Sequence, residues 1–327
     1  MKKSIKLLSF LFAALILFTT LASCNRFVFL NKELEINVAV LNGTTGFGAA
    51  KLISDSKGSD TTLNYNFTVE SDVTLITAGL INGSIDIAAL PTNAAAAVYK
   101  KTDGGVKIAA VNTLGVLYLV TNGDEVAVND ISDLDGKTVY CPAQNPAFIF
   151  EAICRANGVS VTIDTAYAQP ADLRTAVASG LVDVAVLPEP MVTIAKSAND
   201  KLVTSLDLTE EWEKVYGENT LMQGCIVVRT QWAEEHPKEL EEFLKSYKES
   251  VEYTTENPTD AAELIVSTGV FAGKAPVAAK AIPNCNIVYI DGDEMARDLS
   301  VFFEKLYSVN PASVGGTLPD SEIYLVK

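Results

Sequence analysis

Two nine-residue stretches that start 97 positions apart carry nearly the same pattern. Gly83-Ser-Ile-Asp86-Ile-Ala-Ala-Leu-Pro91 and Gly180-Leu-Val-Asp183-Val-Ala-Val-Leu-Pro188 share Gly-x-(Ile/Val)-Asp-(Ile/Val)-Ala-x-Leu-Pro. Short apolar runs with β-branched residues read as buried parallel strands. The closing Pro stops each from pairing further and hands the chain to a loop or helix. A duplicated strand-to-loop unit predicts two similar α/β lobes with their strand ends turned to a common space, the place where open α/β sheets bind ligands. The length of 327 residues suits two domains better than one core.

The N-terminus is expected to lie outside the fold. Met1-Lys-Lys-Ser-Ile-Lys6 is basic, residues 7–21 are apolar, and Leu21-Ala22-Ser23-Cys24 places small residues directly before a Cys. This resembles the lipobox of bacterial lipoproteins, which implies a signal peptide over 1–23, lipidation of Cys24 and a tether over 24–34. Lipid chains would hold a soluble domain at the outer face of a membrane. No later segment has the roughly 18 apolar residues that span a bilayer.

The formal charge is −16, and without residues 1–23 the chain keeps 22 basic against 41 acidic residues, a net of −19. That balance disfavours nucleic-acid binding, which needs basic surface to displace counterions. Cys141, Cys154, Cys225 and Cys285 form no CxxC pair and the only histidine is His236, so zinc-site spacing is absent. Cys225 and Cys285 each lead into a strand-like run and are candidates for a disulfide, with buried free thiols as the alternative.

From residue 35 the reading is strand, helix, strand, helix, strand, helix, strand: 35–41, 49–53, 65–69, 73–81, 85–90, 92–99 and 106–111. This is the order of a parallel sheet covered by helices. The run 114–121 reads as a strand crossing between lobes, after which the plan restarts, and 222–228 leads back. Mostly helical sequence follows, with Leu240, Phe243, Leu244, Tyr247 and Val251 at helical spacing. The expected lobes are 35–112 plus 223–327 and 113–222.

Motifs for catalysis are missing. There is no Gly-x-Ser-x-Gly elbow, no HExxH and no Walker A loop. His236 sits in Glu-Glu-His-Pro, a helix-entry context, and Asp86 and Asp183 read as structural carboxylates at strand starts. Binding is better supported. Asn42-Gly43-Thr44-Thr45-Gly46 joins a strand to a helix, with glycines for close backbone approach, hydroxyls, and free N–H groups at the helix start. Gln144-Asn145 is its counterpart in the second half, and Thr92-Asn93 and Glu189 follow the two repeat strands. If the lobes face each other these four loops meet, with Asn112-Thr113 as a further candidate. Helix N-termini suit an oxyanion, and Glu189 suits an amine or ring N–H.

The lipobox, Gly-Ser-Ile-Asp-Ile-Ala-Ala-Leu-Pro-Thr-Asn, Leu-Asp-Gly-Lys-Thr-Val and Leu-Pro-Glu-Pro together resemble ABC-transporter substrate-binding lipoproteins. The similarity is to the nitrate/sulfonate/taurine and thiamine-pyrimidine-precursor group, over essentially all of 35–327. It implies a two-lobed type II periplasmic-binding-protein fold, each lobe a mostly parallel α/β sheet. It also implies an extracytoplasmic, lipid-anchored monomer that closes by hinge motion on a small polar ligand (a sulfonate, carboxylate, zwitterion or heterocyclic vitamin precursor) and passes it to a permease. No cofactor, metal or catalysis is expected. Eukaryotic pyrimidine synthases of related fold need a sacrificial His and a Cys-rich motif, which this chain lacks. The rivals are a menaquinone-pathway type of enzyme on the same clamp and a lipoprotein sensor subunit.

Overall fold

The structure is a computed structural model and describes residues 30–58, 60–123 and 125–326. The expected signal peptide, Cys24 and the start of the tether lie outside the described residues. Among those residues no helix is long and apolar enough to cross a membrane.

The first half runs β1 (Glu35–Leu41), α1 (Thr44–Phe47), α2 (Ala50–Gly58), β2 (Asn64–Glu70), α3 (Val73–Asn82), β3 (Ile87–Pro91), α4 (Thr92–Lys101) and β4 (Val106–Thr113). The second runs β5 (Leu117–Asn122), β6 (Thr138–Tyr140), α5 (Asn145–Ala156), β7 (Thr162–Asp164), α6 (Pro170–Ala178), β8 (Val184–Pro188), α7 (Met191–Ala198), β9 (Leu202–Asp207) and α8 (Leu208–Tyr216). The chain then returns through β10 (Gly224–Arg229), α9 (Thr230–Glu235), α10 (Pro237–Glu256), α11 (Pro258–Ser267), α12 (Ala275–Ala281), β11 (Ile287–Ile290) and α13 (Gly292–Val309).

The strands make two sheets, ordered β11-β4-β10-β3-β1-β2 and β7-β6-β8-β5-β9. This is the two-lobed α/β arrangement the repeat predicts. The repeat strands β3 and β8 are buried along their first four residues, on both faces, as their continuous apolar runs require. Each has a crossing strand as its antiparallel neighbour: β10 beside β3, and β5 beside β8. The registers place Gly224 opposite Pro91 and Leu117 opposite Pro188. The two repeat ends therefore lie next to the two points where the chain changes lobe.

Pairing also explains why the repeated aspartates part ways. Asp86 is buried and binds Arg229 and Asn37, whereas Asp183 is exposed. The apolar stripe of α10 packs inward as its spacing predicts: Phe243 and Tyr247 are fully buried. The C-terminal helix α13 is not confined to the first sheet. Phe302 stacks against Trp212 of α8 with centroids 5.7 Å apart, and Arg155 of α5 donates to the Ser308 carbonyl.

Of the two readings left open for Cys225 and Cys285, the disulfide is excluded and the buried free thiols are found. All four described cysteines are free and buried. Cys225 lies on β10, and Cys285 precedes β11, with β4 between those strands. Two strand spacings of about 4.8 Å exceed the Cα separation a disulfide spans. Each thiol instead donates to a carbonyl, of Leu90 and of Ala281.

Candidate functional site

A cleft of about 350 Å³ opens where the strand ends of the two sheets meet. Asn42, Gly43, Thr44 and Thr45 line it from the end of β1, and Pro91, Asn93 and Ala94 from the end of β3. Gln144 and Asn145 line it from the start of α5, and Pro188 and Glu189 from the end of β8. The four loops singled out from the sequence are thus brought together.

Three expected residues do not line the cleft. Gly46 is buried under it, where a Cβ would come 2.5 Å from the Leu41 carbonyl oxygen, so its role is close packing. Thr92 is fully buried and its hydroxyl donates to the Met222 carbonyl at 2.6 Å. Asn112 is a brace: its Nδ2 donates to the Thr45 carbonyl at 2.8 Å and to the Tyr247 hydroxyl at 2.9 Å. It holds the β1 loop from behind.

Local geometry also refines the loops. Gly43 has φ 104 and ψ −162, a region essentially limited to glycine. The helix expected over 49–53 is α2, which runs on to Gly58, and the single turn α1 forms before it within the stretch read as a loop. Gln144 adopts φ 66 before α5. Neither α4 nor α5 has a side-chain N-cap; the Thr92 N–H is taken by the Gln223 carbonyl, and the other N–H groups of the two first turns have no side-chain acceptor. Asn93 and Asn145 each bury one end of the amide without a hydrogen-bond partner, so no bond fixes which end of either amide faces the cleft.

Glu189 differs from expectation in where its charge goes. Its oxygens accept from the Thr193 N–H at 3.1 Å and the Thr193 hydroxyl at 2.9 Å. The carboxylate thus caps the start of α7. Burial pushes the carboxyl upward, against the lowering effects of Thr193, Asn284 and Lys196. A raised folded-state value contributes stability that is present below the unfolded value of about 4.3 and is lost as pH rises through the folded value. Wild type should therefore gain on Glu189→Gln as pH falls from 7 to 4 in denaturant titrations. A constant offset across that range would show that the carboxyl is not shifted.

Of the further candidates Asn112 and Thr113, Thr113 lines the cleft, while sequence reasoning missed Val73, Val116, Leu117, Met191, Gln223 and Phe271. Gln223 is the most informative. Its Oε1 accepts the Val116 N–H at 2.8 Å. Since only the oxygen end of an amide can do so, its Nε2 is a donor of settled polarity. Its place in Met-Gln-Gly on a crossing segment was the available signal. Among the described residues the cleft walls carry no Lys, Arg or His, and Glu189 is their only ionisable side chain.

A family model described as NMT1/THI5 like matches residues 63–261. No match was found among curated protein sequences. A crystal structure of an ABC transporter from Parabacteroides distasonis is similar at TM-score 0.76 and 23% identity, covering 89% of this chain and 99% of that one. The periplasmic aliphatic sulphonate binding protein SsuA of Escherichia coli is similar at TM-score 0.71 and 14% identity, over 90% and 92%. The alkanesulfonate-binding SsuA of Xanthomonas axonopodis pv. citri, bound to MOPS, is similar at TM-score 0.64 and 12% identity, over 89% and 96%. At these identities the likeness is one of fold.

Proposed function

The chain belongs to the NMT1/THI5-like family, and from that premise we propose that it is the solute-binding component of an ABC import system. In this reading it is an extracytoplasmic protein, lipid-anchored through Cys24, that encloses a small polar ligand between its lobes and delivers it to a permease without changing it. The observation that carries the reading is the cleft itself, built from the strand ends of both sheets with both crossings beneath it.

The lining narrows the ligand. The available donors are the Gln223 amide nitrogen, the hydroxyls of Thr44 and Thr45, and N–H groups at two helix starts, with the Asn93 and Asn145 amides able to present either end. Such a set favours acceptor atoms, as in a carboxylate, sulfonate, carbonyl or ring nitrogen. The apolar remainder, including Val73, Met191 and Phe271, suits a ligand with a hydrocarbon or ring body. Because Glu189 is engaged with Thr193, an amine on the ligand is not required.

The test is native mass spectrometry of the full-length protein extracted from its host membrane. A small molecule bound one to one and released unchanged is expected, together with a diacylglyceryl mass on the peptide that begins at Cys24. Multiple turnovers of that molecule would sink the receptor reading, and an unmodified Cys24 would remove the anchor.

A further inference from the structure

The two repeat ends are joined by hydrogen bonds across the floor of the cleft. The Thr92 N–H, just after Pro91, donates to the Gln223 carbonyl at 3.1 Å. The Gln223 side-chain Oε1 accepts the Val116 N–H at 2.8 Å. The Val116 carbonyl accepts the N–H of Glu189, just after Pro188, at 2.9 Å. Gln223 also donates its own N–H to the Thr113 carbonyl at 3.0 Å. The relay thus runs from one repeat to the other and passes through both crossings.

Its links are unequal. Those from Thr92 and Glu189 are between backbone groups and accompany the registers of β10 with β3 and β5 with β8. Backbone groups join the two crossings at the first-sheet end, Gln223 N–H to the Thr113 carbonyl, but Val116, at the second-sheet end, is tied to the second crossing through one side chain. That side chain is half-buried, lines the cleft and keeps its Nε2 free toward it. Close packing of the crossings leaves little slack, since a Cβ on Gly115 would come 2.2 Å from the Thr209 hydroxyl and one on Gly224 2.6 Å from Asn112 Oδ1.

Resting on the solute-binding reading above, we propose that Gln223 is a positioning residue that locks the two crossings together and sets the lobe angle from which the cleft closes. An acceptor group bound at Nε2 holds the amide in the orientation that keeps Oε1 on Val116, and hydrogen bonds linked through one amide reinforce each other. Ligand contact and hinge geometry then share a single side chain.

Hydrogen exchange on the full-length, ligand-free chain tests this at the Val116 amide. Gln223→Leu should speed exchange there about tenfold or more, while Gln223→Glu, which retains an acceptor, should stay near wild type. A merely structural role would raise exchange throughout the first sheet, whereas the positioning role confines the change to 114–117 and 189. Nitroxides on Leu75→Cys and Leu181→Cys, two exposed positions, in a Cys24→Ser full-length chain read the lobe angle. Their distance distribution should broaden or shift in Gln223→Leu and not in Gln223→Glu. Should Gln223→Leu fail to fold, Gln223→Asn, one methylene too short to reach Val116, takes its place. Wild-type exchange at Val116 or an unchanged distribution in the shortened variant overturns the proposal. Failure to find a bound small molecule would count against the solute-binding reading and leave these two measurements standing.

Discussion

Asp86→Ala is expected to cost about 3–5 kcal/mol of folding stability, while Asp183→Ala, the same position in the other repeat, should stay within about 0.5 kcal/mol of wild type. Asp86 Oδ1 accepts Arg229 Nη2 at 2.8 Å and Oδ2 accepts the Asn37 N–H at 3.0 Å. The backbone closes the same joint: Asp86 donates to the Asn37 carbonyl, and Arg229 donates to the Asp86 carbonyl. One carboxylate therefore ties β1, β3 and β10 at the end of the sheet away from the cleft. Removing it leaves a largely buried guanidinium whose Nε already lacks a partner. Removing one member of a buried pair costs far more than replacing both with apolar groups, so Asp86→Ala/Arg229→Met should recover much of the loss. Urea denaturation checks this: with m near 3 kcal/mol per M, the midpoint should fall by about 1 M or more. A fall of the same size in Asp183→Ala would mean that the repeat, and not the Arg229 partnership, determines the role of the aspartate.

That divergence shows what was legible from residues alone. The apolar cores of β3 and β8 could be read because burial on both faces demands unbroken apolar runs, and β1 over 35–41 from alternation that runs into the apolar Val38–Leu41. The run 114–121 was readable as apolar for the same reason, but its strand β5 starts only at Leu117 and the crossing itself is irregular. The disulfide was not, because two cysteines heading neighbouring-looking strands say nothing of a third strand inserted between them, and β4 arrives from earlier in the chain. The short helices α9 and α12 also escaped, since six or seven residues give too little periodicity to detect. Within the site, residue type signalled loops near the cleft but not side-chain direction. Asn112 and Asn93 look alike in sequence; one is spent on Thr45 and Tyr247, the other faces the cleft. Met-Gln-Gly marks Gln223 as part of a crossing segment, but its bond to Val116 depends on how the two crossings lie side by side, which no local pattern encodes.

The cleft-side loop after β1 should fail for two different physical reasons at its two glycines. Gly43→Ala should cost about 1–3 kcal/mol through backbone conformation, since nothing lies within 4 Å of the added Cβ and only φ 104 with ψ −162 is at fault. Gly46→Ala should cost a similar or larger amount through overpacking, which is typically about 1–3 kcal/mol. Its Cβ would sit 2.5 Å from the Leu41 carbonyl oxygen and 2.8 Å from Val270 Cγ1. The valine can yield, but Leu41 ends a strand held between β2 and β3. Both variants should also weaken binding of the molecule recovered with wild type, because the Asn112 bond to the Thr45 carbonyl fixes the loop in one position only. Val270→Ala added to Gly46→Ala separates the two obstacles: if the carbonyl is the harder one, the double variant regains less than half of the lost stability. Full recovery in denaturation would place the obstacle on the valine, and the loop would then be free to accept a side chain at position 46.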